Sequence, residues 1–258
     1  MAEPGKMLAD RLRAGETIIT AWSTLAAPSL TEGLTRCGYE AIVIDMQHGQ
    51  HDIATVRDAI SGIRLAGGHP VGRVPVGDFA TASRMLDLGA QAVIAPMINS
   101  VADAKRFAAA MKYPPTGERS WGPTRAMELS GVSEAQAYLM SADAETLSFG
   151  MIETRAAISA LDDILAVKGL DGIFVGPGDL SIALSEGARL NASGDATQEA
   201  AQRICDAAKK AGKLAGIFCM TAEDVKKAKA MGYTFIAYGV DMVVLQAGVS
   251  SLLDSVAD

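Results

Sequence analysis

Short apolar runs alternate with segments of helical period along the whole chain. The runs cover residues 17–22, 41–44, 71–74, 92–95, 147–152, 172–175, 214–218 and 235–238. Between them, apolar residues recur at three- and four-residue spacing over 53–65, 80–88, 102–111, 156–167, 199–211 and 222–231. A run of four to six apolar residues is short for a helix but suits a strand buried on both faces, so the alternation predicts β-α units around a parallel sheet. Eight such units in 258 residues predict an α/β fold, a (β/α)8 TIM barrel occupying residues 1–258 as one domain. An open doubly wound sheet is the competing architecture.

Two stretches break the pattern. Residues 112–128 include Tyr113-Pro114-Pro115-Thr116-Gly117 and Trp121-Gly122-Pro123, too many helix breakers for a regular element, and are expected to form a loop over the catalytic face after the fourth strand. Residues 185–197 follow the sixth strand and read either as a flap or as a plain connector. After Asp241, the apolar segment 242–253 predicts a C-terminal helix with surplus aliphatic surface, buried against another subunit or against its own barrel.

Composition narrows the partners. Acidic residues outnumber basic ones by 30 to 23, giving a formal net charge of −7. With no Lys/Arg cluster, the chain lacks the footprint of a nucleic-acid binder. Cys37, Cys205 and Cys219 have no metal-ligand spacing and suit structural thiols in a reducing compartment. Residues 1–6 lack a signal-peptide core and no apolar run reaches membrane-spanning length, so a cytoplasmic protein with no membrane partner is expected.

The chemistry concentrates after the strands. Glu153 directly follows the fifth apolar run, and Asp179 lies in Gly176-Pro177-Gly178-Asp179-Leu180 after the sixth. Two carboxylates at neighbouring strand ends suit a hard divalent cation such as Mg²⁺ or Mn²⁺, with positions left for water or substrate; the alternative is that both merely cap helices. The second strand runs into Asp45-Met46-Gln47-His48-Gly49. Asp45 and His48 therefore share a face with the two acids, where an acid near an imidazole can fix its tautomer and raise its basicity. Of the other two histidines, His51 lies in the following loop and His69 precedes the third strand at the opposite end. The third strand carries Arg73, and a guanidinium in an apolar strand needs an anionic partner. That partner is a barrel carboxylate such as Asp45 or Glu153, a substrate carboxylate or enolate, or both.

These segments, in this order, resemble the HpcH/HpaI class II aldolases, the 4-hydroxy-2-oxo acid aldolases, over nearly the whole chain. The resemblance rests on Asp45-Met46-Gln47-His48-Gly49, Gly72-Arg73-Val74-Pro75, Met85-Leu86-Asp87-Leu88-Gly89-Ala90 with Pro96-Met97, Tyr113 to Gly117, Glu153-Thr154 and Gly176 to Leu180. It implies reversible cleavage of a 4-hydroxy-2-oxo acid to pyruvate, or a related 2-oxo acid, and an aldehyde. Glu153 and Asp179 would be the ligands of Mg²⁺ or Mn²⁺, with Co²⁺ a further candidate. His48 and Asp45 would form the acid/base pair, Arg73 would bind the 2-oxo oxygen or enolate, and the Gly178 and Asp179 amides would hold the substrate carboxylate. The resemblance also implies homo-oligomers, often hexamers of dimers with exchanged C-terminal helices, bringing Asp87 near a neighbour's site. Gln47 stands where the family commonly has Glu; it can still hydrogen-bond a water but carries no charge. Met151 stands where many members have Gln. Competing readings are a citramalyl-CoA or citrate-lyase-type lyase, for which no basic patch for nucleotide phosphates is evident, a phosphate-binding isomerase, and a non-catalytic 2-oxo-acid-binding barrel. A Schiff-base lysine is disfavoured, because Lys213 precedes the seventh strand at the wrong end.

Overall fold

The computed structural model describes residues 6–257. In chain order its elements are α1 (Leu8–Arg13), β1 (Ile18–Ser23), α2 (Pro28–Arg36), β2 (Ala41–Asp45), α3 (Ile53–Leu65), β3 (His69–Arg73), α4 (Phe79–Asp87), β4 (Ala92–Ala95), α5 (Val101–Met111), α6 (Thr124–Ser130), α7 (Ala135–Glu145), β5 (Leu147–Met151), α8 (Arg155–Ser159), α9 (Leu161–Leu165), β6 (Gly172–Val175), α10 (Pro177–Leu184), α11 (Asp195–Lys210), β7 (Leu214–Cys219), α12 (Ala222–Met231), β8 (Phe235–Val240) and α13 (Asp241–Asp254). The eight strands pair in parallel and in sequence order, and β8 closes on β1. The barrel expectation holds and the open sheet is excluded.

Alternation along each strand sorts the side chains into two layers. Val43, Val71, Ile94, Phe149, Met151, Phe174 and Phe235 belong to the cluster that fills the barrel, whereas Ile42, Ile44, Val93 and Ile173 join the helices in the outer one. The filling is strongly aromatic. Phe149 meets Phe235 at 5.4 Å, Phe235 meets Phe174 at 6.0 Å and Phe174 meets Trp22 at 5.9 Å, so a column of rings rises towards the mouth. At the opposite end α1 acts as a plug, with Leu8, Ala9 and Leu12 buried in the same cluster and the Leu8 amide donating to Gln91 Oε1 at 3.0 Å.

The connections differ from expectation at several places. Because α5 carries the chain back to the strand starts, the Pro-rich segment 112–123 lies at the end opposite the strand C-termini and does not cover the site. Lys112 Nζ there donates to the Thr146 carbonyl just before β5 and pairs with Asp171 just before β6. Helix α7 escaped the sequence pattern since its apolar residues do not line one face; only Tyr138 and Ala142 are buried. The 156–167 helix is broken into α8 and α9 at Ala160. Segment 185–194 is a stitched connector: Asn191 donates its amide to Ser181 Oγ at 3.0 Å and accepts from Thr197 Oγ1 at 3.1 Å. The cysteines are free thiols. Among the described residues no helix is long and apolar enough to cross a membrane. The signal-peptide reading of residues 1–6 lies, except for Lys6, outside them. Helix α13 packs by its first turn on β8 and β1 and leaves Met242, Val243, Leu245, Val249, Leu252 and Leu253 exposed.

Two glycines show how tightly the layers close. A methyl group on Gly172 would sit 2.7 Å from the Leu214 carbonyl and the Phe149 ring, inside the barrel, whereas one on Gly72 would meet only the end of the Met85 side chain in the outer layer. Gly172→Ala is therefore expected to cost about 1–3 kcal/mol, the scale of core overpacking, and Gly72→Ala distinctly less because a thioether can swing aside. Urea unfolding of both variants checks this; equal losses would show that the outer layer is as rigid as the barrel.

Candidate active site

Every strand delivers its last residue to one rim of a parallel barrel, and several polar residues at or just past the strand ends gather there. Asp45 and Arg73 are the last residues of β2 and β3 and stand opposite each other in the strand register. Both side chains are buried and form a two-pronged pair: Arg73 Nε donates to Asp45 Oδ1 at 2.8 Å and Nη2 to Oδ2 at 2.6 Å. Trp22, next to the last residue of β1, donates Nε1–H to Asp45 Oδ2 at 3.2 Å and lies 4.8 Å under the guanidinium. Burial alone would raise the Asp45 carboxyl, but the hydrogen bonds and charge of Arg73, with Trp22 and the Gln47 amide, hold it below the ordinary carboxylate range. Arg73 Nη1 makes no hydrogen bond among the described residues and remains available as a donor.

The loop after β2 starts from the same carboxylate. Asp45 Oδ1 accepts the backbone amides of Gln47 at 2.9 Å and His48 at 3.3 Å. Asp45 thus reaches His48 only through its main chain, and among the described residues the His48 ring, on the exposed side of the loop, has no hydrogen-bond partner. Gln47 is half-buried, with its Oε1 buried and, among the described residues, unpartnered.

The opposite side of the rim is acidic. Glu153, just past β5, is 2% exposed, and its Oε1 accepts the Met97 amide at 2.8 Å. Met97 holds φ at 55°, an uncommon conformation for a residue with a side chain, so its backbone is given over to aiming this amide. No hydrogen bond among the described residues reaches Glu153 Oε2, and a Cβ at Gly176 would stand 2.6 Å from that atom, so Gly176 leaves the space the carboxylate occupies. Burial pushes the Glu153 carboxyl up to about 7; the Met97 bond opposes this, Asp179 adds to it and Arg73 opposes it. Gly178 and Asp179 fall in the first turn of α10, with Asp179 exposed. Neither acid caps a helix: Thr154 caps α8 through the Ala157 amide, and α10 begins from Gly176 without a side-chain cap. The capping alternative fails on that geometry. A cavity of about 330 Å³ adjoins this corner, lined by Pro177, Gly178, Leu190, Ile217, Phe218 and Met220.

A buried carboxylate with one oxygen undonated, facing a second acid, is a site short of positive charge. It fits a hard divalent cation held by oxygen. Among the described residues no group of three or more His, Cys, Asp or Glu side chains could form a metal cage, so two carboxylates with open positions is the arrangement offered.

Sequence reading overlooked four contributors. Trp22, Ser23 and Asp241 lie where β1 and β8 end, and His51, set aside as a loop residue, is 6% exposed with Nε2 3.0 Å from Ser23 Oγ. Asp241 carried the same signal as Glu153, an acid directly after an apolar strand. Asp87 closes α4 on the side of segment 112–123, where it pairs with Arg119 at 2.6 Å, away from its own barrel's mouth.

The model of the HpcH/HpaI aldolase/citrate lyase family matches residues 19–247. The hydroxypyruvate/pyruvate aldolase of Roseovarius nubinhibens is 34% identical over 249 residues, covering 95% of this chain and 94% of its own. The 5-keto-4-deoxy-D-glucarate aldolase of Salmonella arizonae is 32% identical, covering 95% and 94%. Among solved structures, an HpcH/HpaI aldolase/citrate lyase family protein from Burkholderia cenocepacia superposes with a TM-score of 0.86 at 28% identity, covering 96% of this chain and 98% of that one.

The ion pair at the rim makes a stability prediction. Asp45→Ala leaves the Arg73 guanidinium buried without its counter-charge, which costs about 3–5 kcal/mol for such pairs. A thermal melt should show a loss of that order, and a melting temperature equal to wild type would mean that Arg73 is solvated or paired otherwise.

Proposed function

Because the chain belongs to the HpcH/HpaI aldolase/citrate lyase family and is an aldolase, a carbon–carbon lyase, we propose that its barrel mouth cleaves 4-hydroxy-2-oxo acids between C3 and C4. The products would be pyruvate, or a related 2-oxo acid, and an aldehyde. The observation that carries this is the charge layout of the rim: among the described residues, buried Glu153 has an undonated oxygen beside Asp179 on one side, and Arg73 has Nη1 unengaged on the other. Glu153 and Asp179 would hold Mg²⁺ or Mn²⁺, and Co²⁺ suits the same donors. Such an ion supplies Lewis acidity where negative charge develops on the 2-oxo oxygen.

The chain's own groups divide the remaining work. Arg73 is preorganised, since Asp45 fixes its Nε and Nη2 and Trp22 supports its face, so its spare donors meet the enolate oxygen without reorganising. His48, whose ring has no hydrogen-bond partner among the described residues, takes the proton of the 4-hydroxyl as the C3–C4 bond opens, and that proton returns, directly or through water, to C3 of the enolate to complete pyruvate; the reverse direction runs the same transfers backwards. Asp45 acts on His48 by fixing the loop rather than by contacting the ring, a different division of labour from the side-chain pair that the resemblance implied. Gln47 contributes a neutral acceptor beside the site. The Gly178 and Asp179 amides, in the first turn of α10, would hold a substrate carboxylate. Schiff-base chemistry has no candidate at the mouth among the described residues. Buried Lys112 and half-buried Lys213 both bond to carbonyls at the strand starts.

The exposed aliphatic face of α13 suits a second copy of the chain, in keeping with an exchanged C-terminal helix and a hexamer, in which Asp87 would serve a neighbour's site. We read residues 1–258 as one aldolase domain working in the cytoplasm on small molecules, without nucleic-acid or membrane partners.

Pyruvate release from a 4-hydroxy-2-oxo acid tests the reading. Exhaustive chelation should abolish it and added Mg²⁺ or Mn²⁺ restore it. Glu153→Ala and Asp179→Ala should lose both metal binding and activity while keeping wild-type circular dichroism. His48→Ala should slow cleavage roughly 10²-fold, the usual scale of general acid/base catalysis, and still bind metal. Activity indifferent to chelation would sink the metal-assisted mechanism, and normal cleavage by His48→Ala would remove His48 as the base.

A further inference from the structure

Where β8 runs into α13, Asp241 is completely buried, and its carboxylate accepts an unusual number of hydrogen bonds. Its donors are the amides of Thr24 at 2.7 Å, Leu25 at 2.8 Å and Met242 at 2.9 Å, and the hydroxyls of Thr24 at 2.7 Å and Ser23 at 3.2 Å. Ser23, the last residue of β1, in turn lies 3.0 Å from Nε2 of buried His51.

Hydrogen-bond polarity runs one way along this chain. A carboxylate only accepts, so the Ser23 proton points to Asp241; the longer contact at 3.5 Å, to the Leu25 carbonyl, is also with an acceptor. Were Ser23 to donate to His51 instead, two oxygens would face each other at 3.2 Å with no proton between them. His51 must therefore be the donor through Nε2–H, which leaves Nδ1 as the unprotonated nitrogen. Nδ1 is buried and has no partner among the described residues.

The same residues grip the far end of the loop that bears Gln47 and His48. At the near end, the Met46 amide donates to the Arg73 carbonyl at 2.9 Å, and Asp45 takes the next two amides. At the far end, the Gln50 amide donates to the Thr24 carbonyl at 2.7 Å, a methyl group on Gly49 would collide with the Asp45 carbonyl and crowd Thr24, and His51 is tied to Ser23. His48 hangs between the two anchors. We propose that Asp241, Ser23 and His51 form a polarised relay that positions the His48 loop, with His51 held as the Nε2–H tautomer and Asp241 as a positioning residue supplied by the first turn of the C-terminal helix. Burial keeps His51 less basic than an ordinary histidine, against the opposing pull of Asp241, Asp45 and Asp52. The catalytic loop is thereby coupled to the start of the helix whose remaining turns stand exposed.

The proposal deepens the aldolase reading and rests on it only for the kinetic arm of its test. With three histidines in the chain, imidazole nitrogen NMR resolves each ring. Wild-type protein near neutral pH should show His51 protonated at Nε2 and bare at Nδ1. Asp241→Ala removes the acceptor that holds the Ser23 proton, so Ser23 is free to donate to His51 and the His51 proton should shift to Nδ1; Ser23→Ala, a smaller change, should leave the two tautomers mixed. In both variants kcat for pyruvate release should fall about tenfold to a hundredfold, the scale of a misplaced catalytic group, with KM within about twofold. His51 protonated at Nδ1 or at both nitrogens in wild type would overturn the relay, as would unchanged nitrogen signals in the two variants. A shifted tautomer with unchanged kcat would overturn its positioning role. Failure of the aldolase reading has a different mark: wild type releases no pyruvate while its His51 signals follow the pattern above.

Discussion

A guanidinium cannot be buried in a barrel without a counter-charge, and the mouth of this one is organised around meeting that demand. Arg73 and Asp45 end adjacent strands in register, so their side chains meet without any loop having to place them. The pair lies over Trp22, which tops the aromatic column filling the barrel, so core packing is transmitted directly to the orientation of a polar group. Asp45 has acceptor capacity left after Arg73 and uses it on two amides of the following loop. One ion pair therefore sets the aim of the arginine and the starting direction of the segment that bears His48.

Across the rim the balance is reversed. Glu153 is buried with a single backbone donor and an acidic neighbour, and its carboxyl is driven up to about 7. The protein tolerates this cost at a place where a strained Met97 and an obligatory gap at Gly176 hold the carboxylate in position. Among the described residues, a buried acid with an undonated oxygen stands on one side of the rim and a fixed guanidinium with a spare donor on the other, the layout that supports the proposed 2-oxo-acid substrate. In such a site negative charge can grow during reaction with little rearrangement of the surroundings.

Much of this was legible in the sequence because a parallel barrel maps strand ends onto one rim. The positions of Asp45, Arg73, Glu153 and Asp179 follow from locating the apolar runs. The partner of Asp45 did not follow, since whether it meets Arg73 or His48 depends on the register between β2 and β3. Asp241 and Ser23 are brought together only by the closure of β8 on β1, a contact 218 residues apart in the chain. The Pro-rich segment was assigned to the wrong end because an intervening helix, itself foreseen, returns the chain to the strand starts. Helix α7 was silent because its apolar residues form no stripe.

If Arg73, held by Asp45, is the group that meets developing enolate charge, as proposed, pyruvate alone reports on it. In D₂O with Mg²⁺ or Mn²⁺ and no aldehyde, loss of the pyruvate methyl proton signal measures enolate formation without the rest of the aldol reaction. Wild-type protein should catalyse this exchange. Arg73→Lys keeps the charge but loses the planar fork, and should slow exchange by roughly a hundredfold, as removal of a single oxyanion donor does. An Arg73→Lys protein that melts at a lower temperature yet exchanges at the wild-type rate would rule this role out and leave Arg73 a purely structural partner of Asp45.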